Sequence, residues 1–387
     1  MIPVAPLIAG AFEHPARKLP GVSVAAVHAE VARGALADAG LDFSDVDGYF
    51  CAQDAPGFGA LSMADHLGLM PRYFDTSEAG GASYLSHVGH AAAAIAAGKC
   101  SVALITMGGT PRSNPVSHGS NLRGPEGPEV PFESPYGATV VGLYALAARR
   151  HMYEYGTTSR QLAQVKVTAS EHAAYNPNAL LRTPVTVEEV LDSPMVSNPL
   201  HRLDCCVVTD GGGALVVVSE EVARRLSRTG VRVLGHGEAF KTTSDGRSDL
   251  TSTAADRSGP AAFAEAQVTP ADIDYASIYD SFTITVIETI EDLGFCKKGD
   301  GGAFVASGAL RAPFGALPVN TDGGGLCNNH PANRGGMTKT IEAVRQLRGE
   351  AAAEVQVPNC ELALVHGLGG ALGTRSASVT LILGRDE

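Results

Sequence analysis

The chain has 387 residues, 44% hydrophobic and 18% charged, enough to bury a large core divided among two or three domains. A formal net charge of -12, with Lys and Arg scattered along the chain, excludes the basic face that nucleic acid or an anionic membrane surface requires. No stretch reaches ~18 uninterrupted apolar residues, so no membrane span is expected. Seven cysteines without framework spacing are expected as reduced thiols in a cytoplasmic setting. The adjacent Cys205 and Cys206 lack the C-x-x-C spacing of a zinc half-site, and no metal site is expected.

Taken in chain order, MIPVAPLIAGAFEHPARK has an apolar run with no basic segment before it, so it reads as a buried first strand rather than a signal peptide. Ala37–Phe50 (ADAGLDFSDVDGYF) is a helix end, an acidic turn and a β-rich run. Ala266–Tyr279 (AQVTPADIDYASIY) repeats that order, with Asp-Ile-Asp against Asp-Val-Asp. A second pair supports the first. His90–Gly109 gives an alanine-rich helix and then the strand SVALITMGG, and Ile341–Gly370 gives a helix, a linker and the strand CELALVHGLGG. Each half therefore reads as strand, helix, strand, helix, strand, in the βαβ manner that predicts mostly parallel sheets covered by helices. One half spans roughly Pro3 to Glu220 and the other starts at Val231. The first carries an insertion near Pro111–Pro199, with helical pieces at Gly137–Tyr155 and Ser159–Tyr175. An insertion of this size is expected to carry binding function or a lid. Its Tyr136, Tyr144, Tyr153, Tyr155 and Tyr175 suit either a pocket for a bulky apolar group or an interface.

Several motifs make the duplication specific. Tyr279-Asp-Ser-Phe282 follows a strand and opens a helix. Asn320-Thr-Asp-Gly-Gly-Gly-Leu-Cys-Asn-Asn-His330-Pro331 is a glycine-rich loop ending in His-Pro. Gly211-Gly-Gly-Ala214 precedes LVVVSEE, and Val365-His366-Gly367-Leu-Gly-Gly370 ends a strand. Together they resemble the thiolase superfamily, in particular its sterol-carrier-protein-type members, over essentially the whole chain. The strongest single element is the Gly-Gly-x5-His-Pro spacing. The resemblance implies the thiolase fold, an α/β architecture whose two βαβαβ halves form a five-layered αβαβα core. It implies a first half at residues 1–110 and 200–228, a loop-domain insertion at 111–199, and a second half at 229–387.

The departures from the family pattern carry the chemistry. Counting back from Ile95-Ala-Ala-Gly98 puts the family's nucleophilic cysteine at Gly81, within one residue, where the chain offers Gly81, Ala82 and Ser83. The second cysteine has become His366, the family's Asn or His has become Tyr279, and the glycine before His330 has become Asn329. A thiolase carries its acyl group covalently on a thiolate, which Gly81 cannot do. Ser83 beside a histidine is a conceivable nucleophile, although a serine at a helix start is ordinarily a cap. Cys327, close to His330, is a second conceivable nucleophile.

What survives is machinery for an enolate, whose oxygen needs preorganised donors. His330 and Tyr279 both donate hydrogen bonds and relay protons, and His366 is expected to be the imidazole beside Tyr279. Asn329, Gly369 and Gly370 are expected to complete the site loops, with Asp280 orienting its own loop. The resemblance is to steroid side-chain aldolases, which cleave β-hydroxyacyl-CoA thioesters without a covalent intermediate and use a second tyrosine near the His-Pro loop that is not found here. The expected reaction is therefore retro-aldol cleavage of a β-hydroxyacyl-CoA, with coenzyme A as part of the substrate and no other cofactor. The alternatives are a thiolase or acyltransferase with a relocated nucleophile or direct attack by free CoA, and a non-catalytic acyl-CoA-binding subunit. The resemblance also implies a homodimer through the edge strand of the first half, and a separate small partner with zinc-ribbon and oligonucleotide-fold-like parts.

Overall fold

The computed structural model describes residues 5–53, 55–114, 130–243, 247–331 and 335–386. The stretch 115–129, in the expected insertion, and residues 332–334, just after His330-Pro331, lie outside the described residues.

The first half contributes β1 (Leu7–Glu13), α1 (Val24–Ala39), β2 (Gly48–Phe50), α2 (Ala60–Leu67), β3 (Tyr73–Asp75), α3 (Ser83–Ala96) and β4 (Val102–Gly109). Between β4 and the last strand of this half stand α4 (Val130–Glu133), α5 (Val140–Tyr155), α6 (Ser159–Ala173), α7 (Val187–Asp192) and the short pair β5 (Met195–Ser197) and β6 (Leu200–His201). Then come β7 (Gly211–Val218) and α8 (Glu220–Ala223). The second half runs β8 (Val231–Lys241), α9 (Ala255–Ala266), β9 (Tyr275–Ile278), α10 (Thr283–Asp292), α11 (Gly301–Ala306), α12 (Gly324–Cys327), α13 (Gly336–Arg348), β10 (Leu362–Gly370) and β11 (Ser376–Arg385).

The strands follow the order β3-β2-β4-β7-β1-β8-β11-β10-β9, which is one arrangement used twice. The order β2-β4-β7-β1 in the first half is matched by β9-β10-β11-β8 in the second, and the halves join where β1 meets β8 at Leu7↔Arg232 and Ile8↔Val231. Three separate cores give the layers. One lies under α1 and α2. One lies between the half-sheets and is filled by α3 and α13. The third packs α9, α10 and the inserted helices α5 and α6 against the second half-sheet.

The sheet is mixed, which corrects the expectation of mostly parallel strands. Among the described strands β2–β3, β2–β4 and β9–β10 are parallel, whereas β1–β7, β1–β8, β4–β7, β8–β11 and β10–β11 are antiparallel. The reason is visible at β10 and β11. Residues 371–375 are too short for a crossover, so the last strand must return as a hairpin.

The repeated Asp-x-Asp has a physical basis in each half. Asp45 and Asp272 close capping boxes with Asp42 and Thr269 on one-turn 3-10 helices. The second aspartate then clamps two strands together. Asp47 Oδ1 accepts the Ser101 and Val102 amides at 2.8 Å each, where β4 begins. Asp274 Oδ2 accepts the Glu361 and Leu362 amides at 2.9 Å each, where β10 begins.

Candidate active site

The two central helices start side by side. A 3-10 turn at Gly80–Ala82 leads into α3, and Gly335 leads into α13. A Cβ on Gly336 would lie 2.2 Å from the Gly81 carbonyl oxygen, so only glycine permits the approach. Helix amino termini carry partial positive charge, and these two face the same small volume.

Tyr279 and His330 occupy that volume. Tyr279 directly follows β9, and its amide donates to the His366 carbonyl at 3.0 Å. Its hydroxyl shares a 2.8 Å hydrogen bond with His330 Nε2, with the rings edge to face at 5.4 Å. The His330 amide donates to Thr209 Oγ1 at 2.9 Å, and Thr209 Oγ1 donates to Asn329 Oδ1 at 2.6 Å. Asn329 Nδ2 in turn donates to Glu13 Oε1 at 2.8 Å. Burial opposes the Glu13 charge, but Arg17 and Arg345 beside it hold the carboxyl below its ordinary range. Asn329 therefore anchors the His-Pro loop to β1. Burial first, and the Lys339 ammonium second, push the His330 imidazole down to about 4, so the ring is uncharged at neutral pH.

The glycine at the nucleophile position is filled from outside. A Cβ on Gly81 would meet Tyr279 Cε2 and Cζ at 2.6 Å and the Leu368 carbonyl oxygen at 2.4 Å. The phenol ring thus stands where a residue-81 side chain would go. Ala82 is buried in the central core. Ser83 Oγ is engaged within its own turn, accepting from the Ala79 amide and donating to the Gly80 carbonyl at 2.8 Å each. Gly369 and Gly370 cover this turn. A Cβ on Gly369 would collide with the Ala79 carbonyl at 1.7 Å, and one on Gly80 would sit 2.9 Å from Gly369 Cα.

His366 does not join this group. It lies inside β10, not on a loop, and successive side chains of a strand alternate between faces. Cβ atoms on its neighbours Gly367 and Gly369 would point at Ala82 and Ala79, so the imidazole points to the opposite face, toward the core under α9 and α10. Both ring nitrogens are buried without a hydrogen-bond partner among the described residues, and burial pushes the ring down to about 3. Its link to the site is the backbone carbonyl that receives the Tyr279 amide.

Cys327 is buried, with Lys166 Nζ 3.1 Å from its sulfur, and Lys166 also donates to the Leu326 carbonyl at 2.7 Å. Burial pushes the thiol up despite the lysine, the wrong direction for a nucleophile. Among the insertion tyrosines Tyr144 is the buried one. It stacks on Phe282 at 4.3 Å and reaches the Gly370 carbonyl at 3.4 Å. Asp280 pairs with Lys339, a residue outside the sequence motifs. The Asp280 carboxylate accepts the Gly325 and Leu326 amides at 2.8 and 3.1 Å and lies 2.9 Å from Lys339 Nζ. Among the described residues no group of three or more His, Cys, Asp or Glu is arranged to hold a metal, and no helix is long and apolar enough to cross a membrane.

Residues 237–385 match the family model of the thiolase C-terminal domain. The chain is 36% identical to an acetyl-CoA acetyltransferase of Methanothermobacter thermautotrophicus over 358 residues, covering 90% of this chain and 92% of the relative. It is 35% identical to a steroid side-chain-cleaving aldolase of Thermomonospora curvata over 366 residues, again covering 90% and 92%. The solved Ltp2-ChsH2(DUF35) aldolase superposes with a TM-score of 0.88 at 34% identity, covering 100% of this chain and 99% of that one. The chain belongs to the thiolase superfamily, and it has the thiolase fold.

Proposed function

We propose that the protein is an aldolase-type lyase that cleaves a β-hydroxyacyl-CoA into a carbonyl product and a shorter acyl-CoA. The observation that carries this reading is the Tyr279 ring filling the side-chain space of Gly81 while its hydroxyl bonds His330. A phenol, hydrogen-bonded to an uncharged imidazole, stands where the thiolate would be, so the site is suited to proton transfer rather than to carrying an acyl group on residue 81.

Tyr279 takes the proton of the substrate's β-hydroxyl and passes its own to His330 Nε2. The bond between the α and β carbons breaks, the β carbon leaves as a carbonyl, and the electron pair becomes the thioester enolate. The imidazolium, disfavoured in its buried setting, returns the proton through Tyr279 to the α carbon. The cycle neither gains nor loses a proton. The amino termini at α3 and α13 stabilise the enolate oxygen.

Relatives that include a steroid side-chain-cleaving aldolase support a substrate with a bulky ring system. The Ltp2-ChsH2(DUF35) aldolase supports a heteromeric assembly here, with a zinc-ribbon and oligonucleotide-fold-like partner helping to hold the acyl-CoA. Homodimerisation through β3 is supported by its place at the sheet edge and by exposed Phe58, Leu61, Met70 and Phe74 on and beside it. A cytoplasmic location fits seven cysteines that form no disulfide among the described residues.

The test is incubation with β-hydroxyacyl- and β-ketoacyl-CoA thioesters, ring-bearing ones included, with and without free CoA and with and without the partner. Carbonyl release from β-hydroxy substrates without free CoA is expected. Cleavage confined to β-keto substrates plus CoA would overturn the reading.

A further inference from the structure

We propose that Thr209 is a positioning residue for the proton transfer: its hydroxyl fixes the His330 backbone, and with it the reach of Nε2 to the Tyr279 hydroxyl. The inference rests on the reading of Tyr279 and His330 as the proton-transfer pair.

The His-Pro loop leaves the hold of its own helix one residue before the imidazole. The Asn328 and Asn329 amides still donate back to the Gly324 carbonyl, at 2.8 and 3.2 Å. The His330 amide instead donates to Thr209 Oγ1 at 2.9 Å, and the same hydroxyl donates to Asn329 Oδ1 at 2.6 Å. One fully buried side chain of the first half thus holds two successive residues of the second. A hydroxyl offers one donor and two acceptor sites, so threonine serves both bonds where a valine of the same shape serves neither.

Thr209 is itself held firmly. The amide of its neighbour Asp210 donates to the Arg17 carbonyl at 3.1 Å. The Asp210 carboxylate accepts the Leu19, Arg112 and Ser113 amides at 2.7, 2.7 and 3.0 Å. Thr209 also forms an isolated parallel bridge with Pro331, and its branched Cβ restricts the side-chain torsion. The hydroxyl therefore sits on a fixed backbone with few rotamers open to it.

The ring has little freedom to make up for a moved backbone. Methyl groups on Gly325 and Gly335 would each lie 3.1 Å from His330 Cδ2, so the imidazole packs closely against both glycines. A His330 backbone released from Thr209 carries Nε2 with it, and the 2.8 Å bond to Tyr279 lengthens. Misplacement of a reacting group by about 1 Å costs on the order of 100-fold in rate.

The experiment compares Thr209→Val, which removes the hydroxyl and keeps the shape, with Thr209→Ser, which keeps the hydroxyl. Thr209→Val is expected to lower kcat by about 10- to 100-fold with KM within about twofold, and Thr209→Ser to retain kcat within about threefold. NMR of protein carrying isotope-labelled histidine follows the His330 Nε2 resonance, assigned by its absence in His330→Asn. That resonance is expected to move in Thr209→Val and to stay in place in Thr209→Ser. If Thr209→Val does not fold, Thr209→Cys, whose thiol is a weak donor and acceptor, takes its place with the same expected directions. A threonine that only stabilises the fold would leave kcat and the resonance at their wild-type values, which would overturn the proposal. A fall in kcat with the resonance unmoved would overturn it too, as would a moved resonance with turnover unchanged. The NMR readout needs no substrate. A moved resonance, in a protein whose wild type cleaves no β-hydroxyacyl-CoA, would sustain Thr209 as the residue that places His330 and sink the retro-aldol reading.

Discussion

The two halves agree where they build the frame and part where they build the site. Asp47 and Asp274 do the same work, each clamping a parallel strand pair through two backbone amides. Five residues after Asp47 the first half has Ala52, and five residues after Asp274 the second half has Tyr279. The central helices differ in a complementary way. Gly81, before α3, supplies room, and the second half supplies the ring that fills it and the imidazole that bonds it. Duplication thus preserves the devices that hold strands together, while the chemistry comes from breaking the symmetry at the strand and helix ends.

The sharpest way to break this comparison is to remove the hydroxyl that only the second half has. Tyr279→Phe is expected to lower turnover by about 10^3-fold, within the range for loss of a positioned acid–base group, with the circular dichroism spectrum unchanged. Next in size is Gly81→Ala, which restores a side chain to the first half. Its methyl collides with the Tyr279 ring and the Leu368 carbonyl. A loss of about 100-fold in activity and roughly 1–3 kcal/mol in stability is expected, read by turnover and by denaturant unfolding.

Acid sharpens the picture of the buried imidazoles. Burial holds His28, His87, His172 and His330 down to about 4 and His366 to about 3. Below the ordinary histidine value of 6.5 the unfolded chain takes up protons that the folded protein refuses, so stability falls as pH drops from 6.5 toward 4. The contribution of each is fully present above 6.5, and by pH 5 each costs on the order of 2 kcal/mol. Unfolding midpoints measured between pH 7 and pH 5 are expected to fall steeply. A flat profile would show that these rings are not held uncharged.

The clamps test the shared part of the frame. Asp274→Ala and Asp47→Ala each strand two amides, and each is expected to cost about 1–3 kcal/mol in denaturant unfolding. The smallest effect belongs to Ser83→Ala, which loosens only its own turn. Turnover within about threefold of wild type and about 1 kcal/mol of lost stability are expected. Abolished turnover would point to a serine nucleophile.

Much of the fold was legible because its signals are local. The Asp-x-Asp turns stand out as a three-residue motif repeated in both halves, and the His-Pro loop and the glycine at residue 81 are placed by spacing against the thiolase pattern. Strand direction was not legible, since it depends on whether a strand returns by a hairpin or a crossover. His366 failed for a related reason. A strand alternates faces every residue, so assigning it to a loop lost the one-residue register that sends its imidazole away from Tyr279. Lys339 was passed over because a lysine in a helix ordinarily reads as surface. Its burial is decided by α13 lying between two half-sheets, a fact of tertiary packing.

In the proposed retro-aldol reaction no acyl group is ever carried on the protein. Intact-mass spectrometry of the wild-type chain, quenched during turnover of a β-hydroxyacyl-CoA, tests it most directly. The unmodified mass is expected at every time point while the carbonyl product accumulates. An acyl adduct that forms and decays at the rate of turnover, mapped to Ser83 or Cys327, would contradict it.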